Sequence, residues 1–547
     1  MTENTNLGNK RLSSKGGFVS GVAVLTASTV MVKLIGVLYK IPMLKYLGED
    51  GMGYFNSAYE IYTFFYIMAG SGLPVAVSIL TAQNEERGRG EGARRIFGVS
   101  LALLSCLGLV GAAVLYLGAA SFGELIGNSG ATASIRAIAP MAFFVCVSSA
   151  VRGYFQGRQN MIPTAISQVI EALGKLFPGL LFAILAVRHG SDIEGAAASA
   201  TVGISLGVGV SMLYLLISKL FCAEDQGIEP SISVVESRAS IFKRLLSIAL
   251  PITLSSAVLS MTRVVDLVMI LRRLQSIGYT EEAANSIYGS YSTLAVSMFN
   301  LPASLVTPIA LTLVPLLALA FNSGNKIKES NTLNASFKLC GLMIIPASLG
   351  LSVFSRPILS LVFGDGAAVS IAAPLLSVLA ISVLFSCLIT VSNAVLQAYG
   401  NERKPIVSMA FGAVMKILLS YLLIGNPTVN VYGAPLSTLA CDVAISFINI
   451  VNIRKTTDCL KSAGDLFGRS LLAAVVAVGG TALGYYGLIG ADVIKASGGT
   501  TAVALSLAIL LYAVIAFRIG AVEADEIKLL PRGEKIYEAM KKIKLVK

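Results

Sequence analysis

The chain has 547 residues, of which 55% are hydrophobic and 13% charged, about half the 25% of charged residues found in soluble domains. A water-soluble globular fold is excluded, and apolar runs long enough to cross about 30 Å of hydrocarbon recur throughout. The fold class is an all-α polytopic membrane protein. The net charge of +12 would point to nucleic acid in a soluble protein, but its distribution gives another reason, set out below, and no nucleic-acid partner is expected.

The first 16 residues carry Lys10, Arg11 and Lys15 ahead of an apolar run that continues to Tyr46 without a small-residue cleavage site. This predicts a membrane helix rather than a signal peptide. Fourteen helices are expected, over 17–46, 52–82, 96–121, 135–157, 161–187, 195–220, 243–274, 284–320, 334–355, 367–399, 404–425, 431–453, 469–490 and 499–518. With the N-terminus inside, the cytoplasmic segments and their flanks hold 30 of the 42 Lys and Arg, the outer segments 7 and the membrane 5. That asymmetry satisfies the positive-inside rule and places both termini in the cytoplasm. The tail ending "MKKIKLVK" then acts as a topology anchor touching anionic lipid.

The chain repeats itself. "ISQVIEALGKLFPGLL" from Ile166 lies over "VSMAFGAVMKILLSYLL" from Val407, and "GAAASAT" from Gly195 over "GAPLSTL" from Gly433. The polar elbow "VRGYFQGRQNMIP", Val151 to Pro163, has a shorter cousin in "VLQAYGNERKP", Val395 to Pro405. The expected organisation is a cytoplasmic segment 1–16, a six-helix lobe 17–220, a linker 221–242, a second lobe 243–453, a loop and two further helices 454–518, and a basic tail 519–547. An even helix number per unit makes the repeat parallel, as in transporters whose lobes rock about a shared site.

Several chemistries are excluded. His189 is the single histidine, the seven cysteines lack CxxC spacing, and no GxxxxGK[ST] phosphate loop occurs. No metal site, Ser–His triad or nucleotide hydrolysis is expected. The outer loops are too short for an extracytoplasmic enzyme such as a glycosyltransferase, so no enzymatic activity is expected. Glycine pairs such as Gly203 and Gly207 read as close helix packing.

The informative residues are charges inside apolar helices: Lys33, Lys40, Lys175, Arg263 and Lys416, with Glu60, Glu171, Asp266 and Asp442. Each would cost about 2.5–3.5 kcal/mol facing lipid at mid-helix, so they must face one another or water. Glu171 and Lys175 at i,i+4, and Arg263 and Asp266 at i,i+3, are spaced to pair on one helix face. Lys33 has no such partner, whereas Lys40 lies near enough to the helix end to snorkel. Pro42, Pro74, Pro251, Pro302, Pro308, Pro315 and Pro346 fall in or at the ends of membrane helices, as static kinks or as bends that gate a cavity.

"KLIGVLYKIPMLKYLGEDGMGYFNSAYEIY", Lys33 to Tyr62, resembles the start of polysaccharide transporters of the MOP flippase superfamily. "RGYFQGRQNMIPTAISQVIEAL", Arg152 to Leu173, is similar to the branch that holds stage V sporulation proteins and Gram-positive lipid II flippases. The resemblance implies two six-helix lobes in a V around a central cavity, plus two C-terminal helices, in the bacterial cytoplasmic membrane. It implies flipping of a polyprenyl-diphosphate-linked saccharide, lipid II first, driven by membrane potential or an ion gradient. Lys33 occupies the place of a basic helix-1 residue of the family; the family's Arg-Asp pair is absent at Tyr39–Lys40.

The expected substrate-binding residues are therefore Lys33, Lys40, Glu60, Lys175, Arg263, Asp266 and Lys416. Arg152 and Arg158 are candidates for first contact with diphosphate at the inner leaflet. No cofactor is expected, with Na+ or H+ open as a coupling ion. The expected partners are the lipid-linked saccharide and membrane lipids, with a monomer that can associate with the cell-wall or sporulation machinery. The alternatives are a flippase for another lipid-linked polysaccharide and a cation or drug antiporter of the same superfamily.

Overall fold

A computed structural model describes residues 28–29, 31–86, 90–221, 237–401, 403–493, 495 and 497–521. The expected segment 1–16, most of the linker 221–242 and all but the first residues of the tail 519–547 lie outside the described residues. The described residues are helices and short turns, with no strand among them, and eleven of their helices are long and apolar enough to cross a membrane. By contacts the chain divides at Gly289–Ser290 into two compact units.

In the first unit, helical residues 31–38 lead into α1 (Lys40–Gly70), followed by α2 (Gly72–Glu86). The turn expected at 47–51 is a kink within α1, where Gly48 adopts φ 65° and ψ −175°, a conformation that favours glycine because no Cβ meets the backbone. Then come α3 (Gly90–Leu117), α4 (Ala119–Ile126), α5 (Thr132–Gly157) and α6 (Ile162–Gly174). The helix expected over 161–187 is interrupted by a π turn, Lys175–Gly179, before α7 (Leu180–Arg188). Pro178 lies in that turn, and its missing N–H explains the lost α-helical bond. Next are α8 (Ile193–Leu220), α9 (Arg238–Ser276) and α10 (Glu281–Ser290).

Helix α5 packs on α1, α2, α3 and α8, so it is apolar or small nearly all round. Gly207 of α8 meets Gly174 of α6 backbone to backbone, and Gly203 meets the Pro178 carbonyl, with no room for a Cβ at either position. This is the small-residue packing by which membrane helices approach closely. Helix α9 begins beyond the linker expected to separate the lobes, yet it packs on α1 and α2.

In the second unit a π turn, Tyr291–Ala295, precedes α11 (Val296–Asn322), α12 (Lys326–Val353) and α13 (Ser355–Phe363). They are followed by α14 (Ala367–Ala398), α15 (Arg403–Ile424) and α16 (Gly433–Arg454), and then by α17 (Ala463–Gly490) and α18 (Gly498–Arg518). Helix α14 packs on α11, α12 and α16, a central role like that of α5, and α17 lies on α12 with α18 against α17.

The two elbows share one backbone solution. After α5, the N–H of Asn160 donates to the Phe155 carbonyl at 3.0 Å and that of Gln159 to Gln156 at 2.9 Å. After α14, Asn401 donates to Leu396 at 2.9 Å and Gly400 to Gln397 at 2.9 Å. Both are Schellman caps, closed by a left-handed residue, Gln159 at φ 58° and Gly400 at φ 71°.

The residue just before the left-handed one in each cap reaches a carboxylate. Arg158 pairs with Glu85 at 2.7 Å, whereas the Tyr399 hydroxyl donates to Glu329 at 2.8 Å. Glu329 is 1% exposed and also accepts from Thr457 at 2.7 Å and Lys326 at 3.2 Å. It thereby ties the segment after α16 to the start of α12.

Candidate functional site

Helix α1 carries an aromatic stripe at Phe55, Tyr59, Tyr62 and Tyr66, spaced three or four residues apart, with successive ring centroids 5.8–5.9 Å apart. The stripe faces a buried charge cluster built by the antiparallel pair α5–α6. Arg152, near the end of α5, donates to Ser167 at 3.0 Å and to Glu171 at 3.2 Å on α6. One turn later Lys175 lies 3.6 Å from the other carboxylate oxygen of Glu171 and donates to the Tyr59 hydroxyl at 3.0 Å. Its ammonium sits 5.4 Å from the Tyr59 ring centre, at the hydroxyl edge of the ring. Glu171 is thus held between two cations, and the expected i,i+4 pairing with Lys175 is present.

A second group of charges lies where α1 faces α9. Glu60 is within electrostatic reach of Arg263, Lys40 and Asp266, and Lys33 of Arg263. Lys40 also senses Lys175, which joins the two groups into one field. Lys33 and Arg263 are exposed, whereas Lys40, Glu60 and Asp266 are half-buried. Glu60 Oε2 is buried and has no hydrogen-bond partner among the described residues. In an apolar span, an exposed cation requires access to water or to an anion.

Taken together, the two groups comprise five basic side chains (Lys33, Lys40, Arg152, Lys175, Arg263) and three carboxyl groups (Glu60, Glu171, Asp266). The field therefore has an excess of two positive charges. Such an excess of positive charge favours an anion over a cation nearby. Among the described residues, no group of three or more His, Cys, Asp or Glu side chains is placed to hold a metal ion.

The other expected site residues lie elsewhere. Lys416 is buried on α15 of the second unit, 5% exposed. Arg152 belongs to the buried Glu171 cluster and not to the surface of the elbow. Arg158 is equally enclosed, its side chain 6% exposed, paired with Glu85 and 4.9 Å above the Tyr154 ring. Lys219 lies 4.2 Å from the same ring. Tyr59, Ser167 and Glu85 were not singled out from sequence. The four-residue spacing of Phe55 and Tyr59 was the available signal for the first; the other two show none without the packing of α5 on α2 and α6.

The chain is similar to known proteins in sequence and in fold. The sequence profile described as polysaccharide biosynthesis protein matches residues 18–321, and the MatE profile matches 283–422. Stage V sporulation protein B of Bacillus subtilis is 24% identical over 523 residues, covering 95% of this chain and 98% of that protein. Lipid II flippase MurJ of Bacillus subtilis is 28% identical over 467 residues, covering 81% and 83%. Among solved structures, lipid II flippase MurJ in an inward closed conformation superposes with a TM-score of 0.70 at 14% identity, covering 91% of this chain and 99% of that one. With a profile matched over more than half its length, the chain belongs to the polysaccharide biosynthesis protein family, in the MurJ and stage V sporulation protein B branch of the MOP superfamily.

Proposed function

We propose that the chain is a flippase that moves a polyprenyl-diphosphate-linked saccharide, lipid II first, from the inner to the outer leaflet of the bacterial cytoplasmic membrane. The observation that carries this reading is the excess of two basic side chains over carboxyl groups in the charged field of the first unit. A diphosphate diester is doubly anionic, and fixed cations lower the cost of bringing it into a medium of low dielectric. Lys33 and Arg263, the exposed members, are the ligands for the diphosphate. Lys40, Glu60 and Asp266 set the local balance, and Lys175 contributes through the field. The polyprenyl tail stays in the bilayer.

The reading carries the finer layout expected from sequence: fourteen helices, two six-helix lobes in a V, both termini cytoplasmic, and alternating access without ATP. Each negative charge moved outward gains about 2.3 kcal/mol per 100 mV of inside-negative potential, so membrane potential biases the cycle, with Na+ or H+ as the candidate coupling ion. Another lipid-linked polysaccharide is the nearest alternative cargo. The match of residues 283–422 to the MatE profile favours a cation or drug antiporter as the second reading.

Rescue of a strain depleted of its lipid II flippase, with labelled lipid II becoming accessible in the outer leaflet, is the decisive experiment. No rescue and no accessible lipid II would remove lipid II as cargo. Export of small cationic dyes from vesicles would favour the antiporter.

A further inference from the structure

One end of the first unit is closed by a cluster of neutral groups. Asn285 on α10 donates from its amide to the Asp50 carbonyl at 2.9 Å, next to the Gly48 kink of α1. Its amide oxygen accepts from Asn128 at 2.8 Å, and Asn128 also donates to Ser57 at 3.0 Å. Asn285, Asn128 and Ser57 are all 0% exposed. Two glycines let the backbones meet: a Cβ on Gly53 would collide with Asn285, and one on Gly289 with the Glu49 carbonyl.

Charged side chains lie around this centre rather than in it. Glu281 accepts from the Ser129 hydroxyl at 2.6 Å, and Arg272 donates to the carbonyls of Glu124 and Leu125. Asp50 accepts from Ser286. Parting α10 from α1 and the 127–130 turn therefore breaks neutral hydrogen bonds at the centre and separates no ion pair there. A closure of this kind is specific in geometry yet inexpensive to open.

We infer that Asn285 is the latch of this end, which alternating access must release to let cargo out; the role in transport rests on the flippase reading above. Asn285 has this role because one side chain joins three chain segments: the α1 kink, the 127–130 turn and α10.

The test uses the full chain in lipid vesicles. Asn285→Ala is expected to speed amide hydrogen exchange across 49–57 and 127–131 by about tenfold, the effect of losing one to two hydrogen bonds. Ser57→Ala, which removes a single bond, should have a smaller effect in the same direction. Unchanged exchange in both variants would overturn the latch. Conversely, Asp50→Cys with Ser286→Cys, in a background lacking the native cysteines, should cross-link on oxidation and arrest flipping of labelled lipid II until reduced. A cross-linked chain that still flips overturns the gating role. Because hydrogen exchange needs no cargo, a chain that never flips lipid II but loosens in Asn285→Ala would remove lipid II as cargo and keep the latch as a closure.

Discussion

Arg152 and Glu171 face each other at 3.2 Å across α5 and α6, although the sequence sets one in a polar elbow and the other within an apolar run. With Lys175 on the opposite oxygen, the carboxylate neutralises part of two buried cations. Removing one member of a buried pair leaves an uncompensated charge, at a cost of about 3–5 kcal/mol. Glu171→Ala should therefore lower thermal stability in detergent sharply. Lys175→Met should cost less, because Arg152 still satisfies Glu171. Equal melting temperatures for the two variants would contradict this ranking.

Lys33 and Arg263 are expected to act in transport and not in folding, because both are exposed. Lys33→Ala and Arg263→Ala should leave expression and melting unchanged and abolish complementation of a lipid II flippase depletion strain. Normal flipping in both variants would eliminate them as diphosphate ligands.

The elbows give a paired prediction. Gln159 holds φ 58° without being glycine, and such a conformation costs about 1–3 kcal/mol. Gln159→Gly should stabilise the first unit by a fraction of that amount. Gly400→Ala, at φ 71°, should destabilise the second by about 1–2 kcal/mol. Opposite shifts in thermal unfolding check both at once.

Tyr399→Phe removes the hydroxyl that donates to buried Glu329. A hydrogen bond to a charged group is worth about 1.5–3 kcal/mol. The loss should show as faster proteolysis between α16 and α17, where Thr457 shares the same carboxylate. Unchanged cleavage would mean that Lys326 and Thr457 alone hold the knot.

Tight packing at Gly207 predicts a severe single change. Any Cβ there meets the backbone of Gly174, so Gly207→Val should force α8 away from α6. Overpacking costs about 1–3 kcal/mol even where side chains can adjust, and backbone cannot. Expression of folded protein should fall well below that of Gly209→Val, whose Cβ would meet the Phe144 ring at 3.3 Å.

Helix existence and the Glu171–Lys175 pair were legible from sequence, because apolar length and i,i+4 spacing are local properties. The repeated elbow was legible too, and its two Schellman caps give the physical reason for the likeness. The rotational phase of α5 was not. That helix is buried on nearly every side, so no polar face betrays where Arg152 points. Nor could spacing reveal the packing of α9 on α1 and α2, which depends on neighbours distant in sequence; the π turn after Gly174 did have a local signal, in Pro178. Lys40 and Glu60 are similar: twenty residues apart, they enter one field only because α1 kinks at Gly48.

The doubled cap also makes the two units unequal in how they respond to their surroundings. In the first, the cap is fastened by the Arg158–Glu85 ion pair, whose Glu85 side chain is 34% exposed. In the second, the fastening is a hydroxyl on a carboxylate enclosed by protein. Mobile ions weaken exposed charge pairs and leave enclosed hydrogen bonds nearly untouched. Raising ionic strength is thus a way to loosen the Arg158 fastening while the Tyr399 hydroxyl keeps its hold on Glu329, so that one of the duplicated caps responds to salt and its counterpart does not.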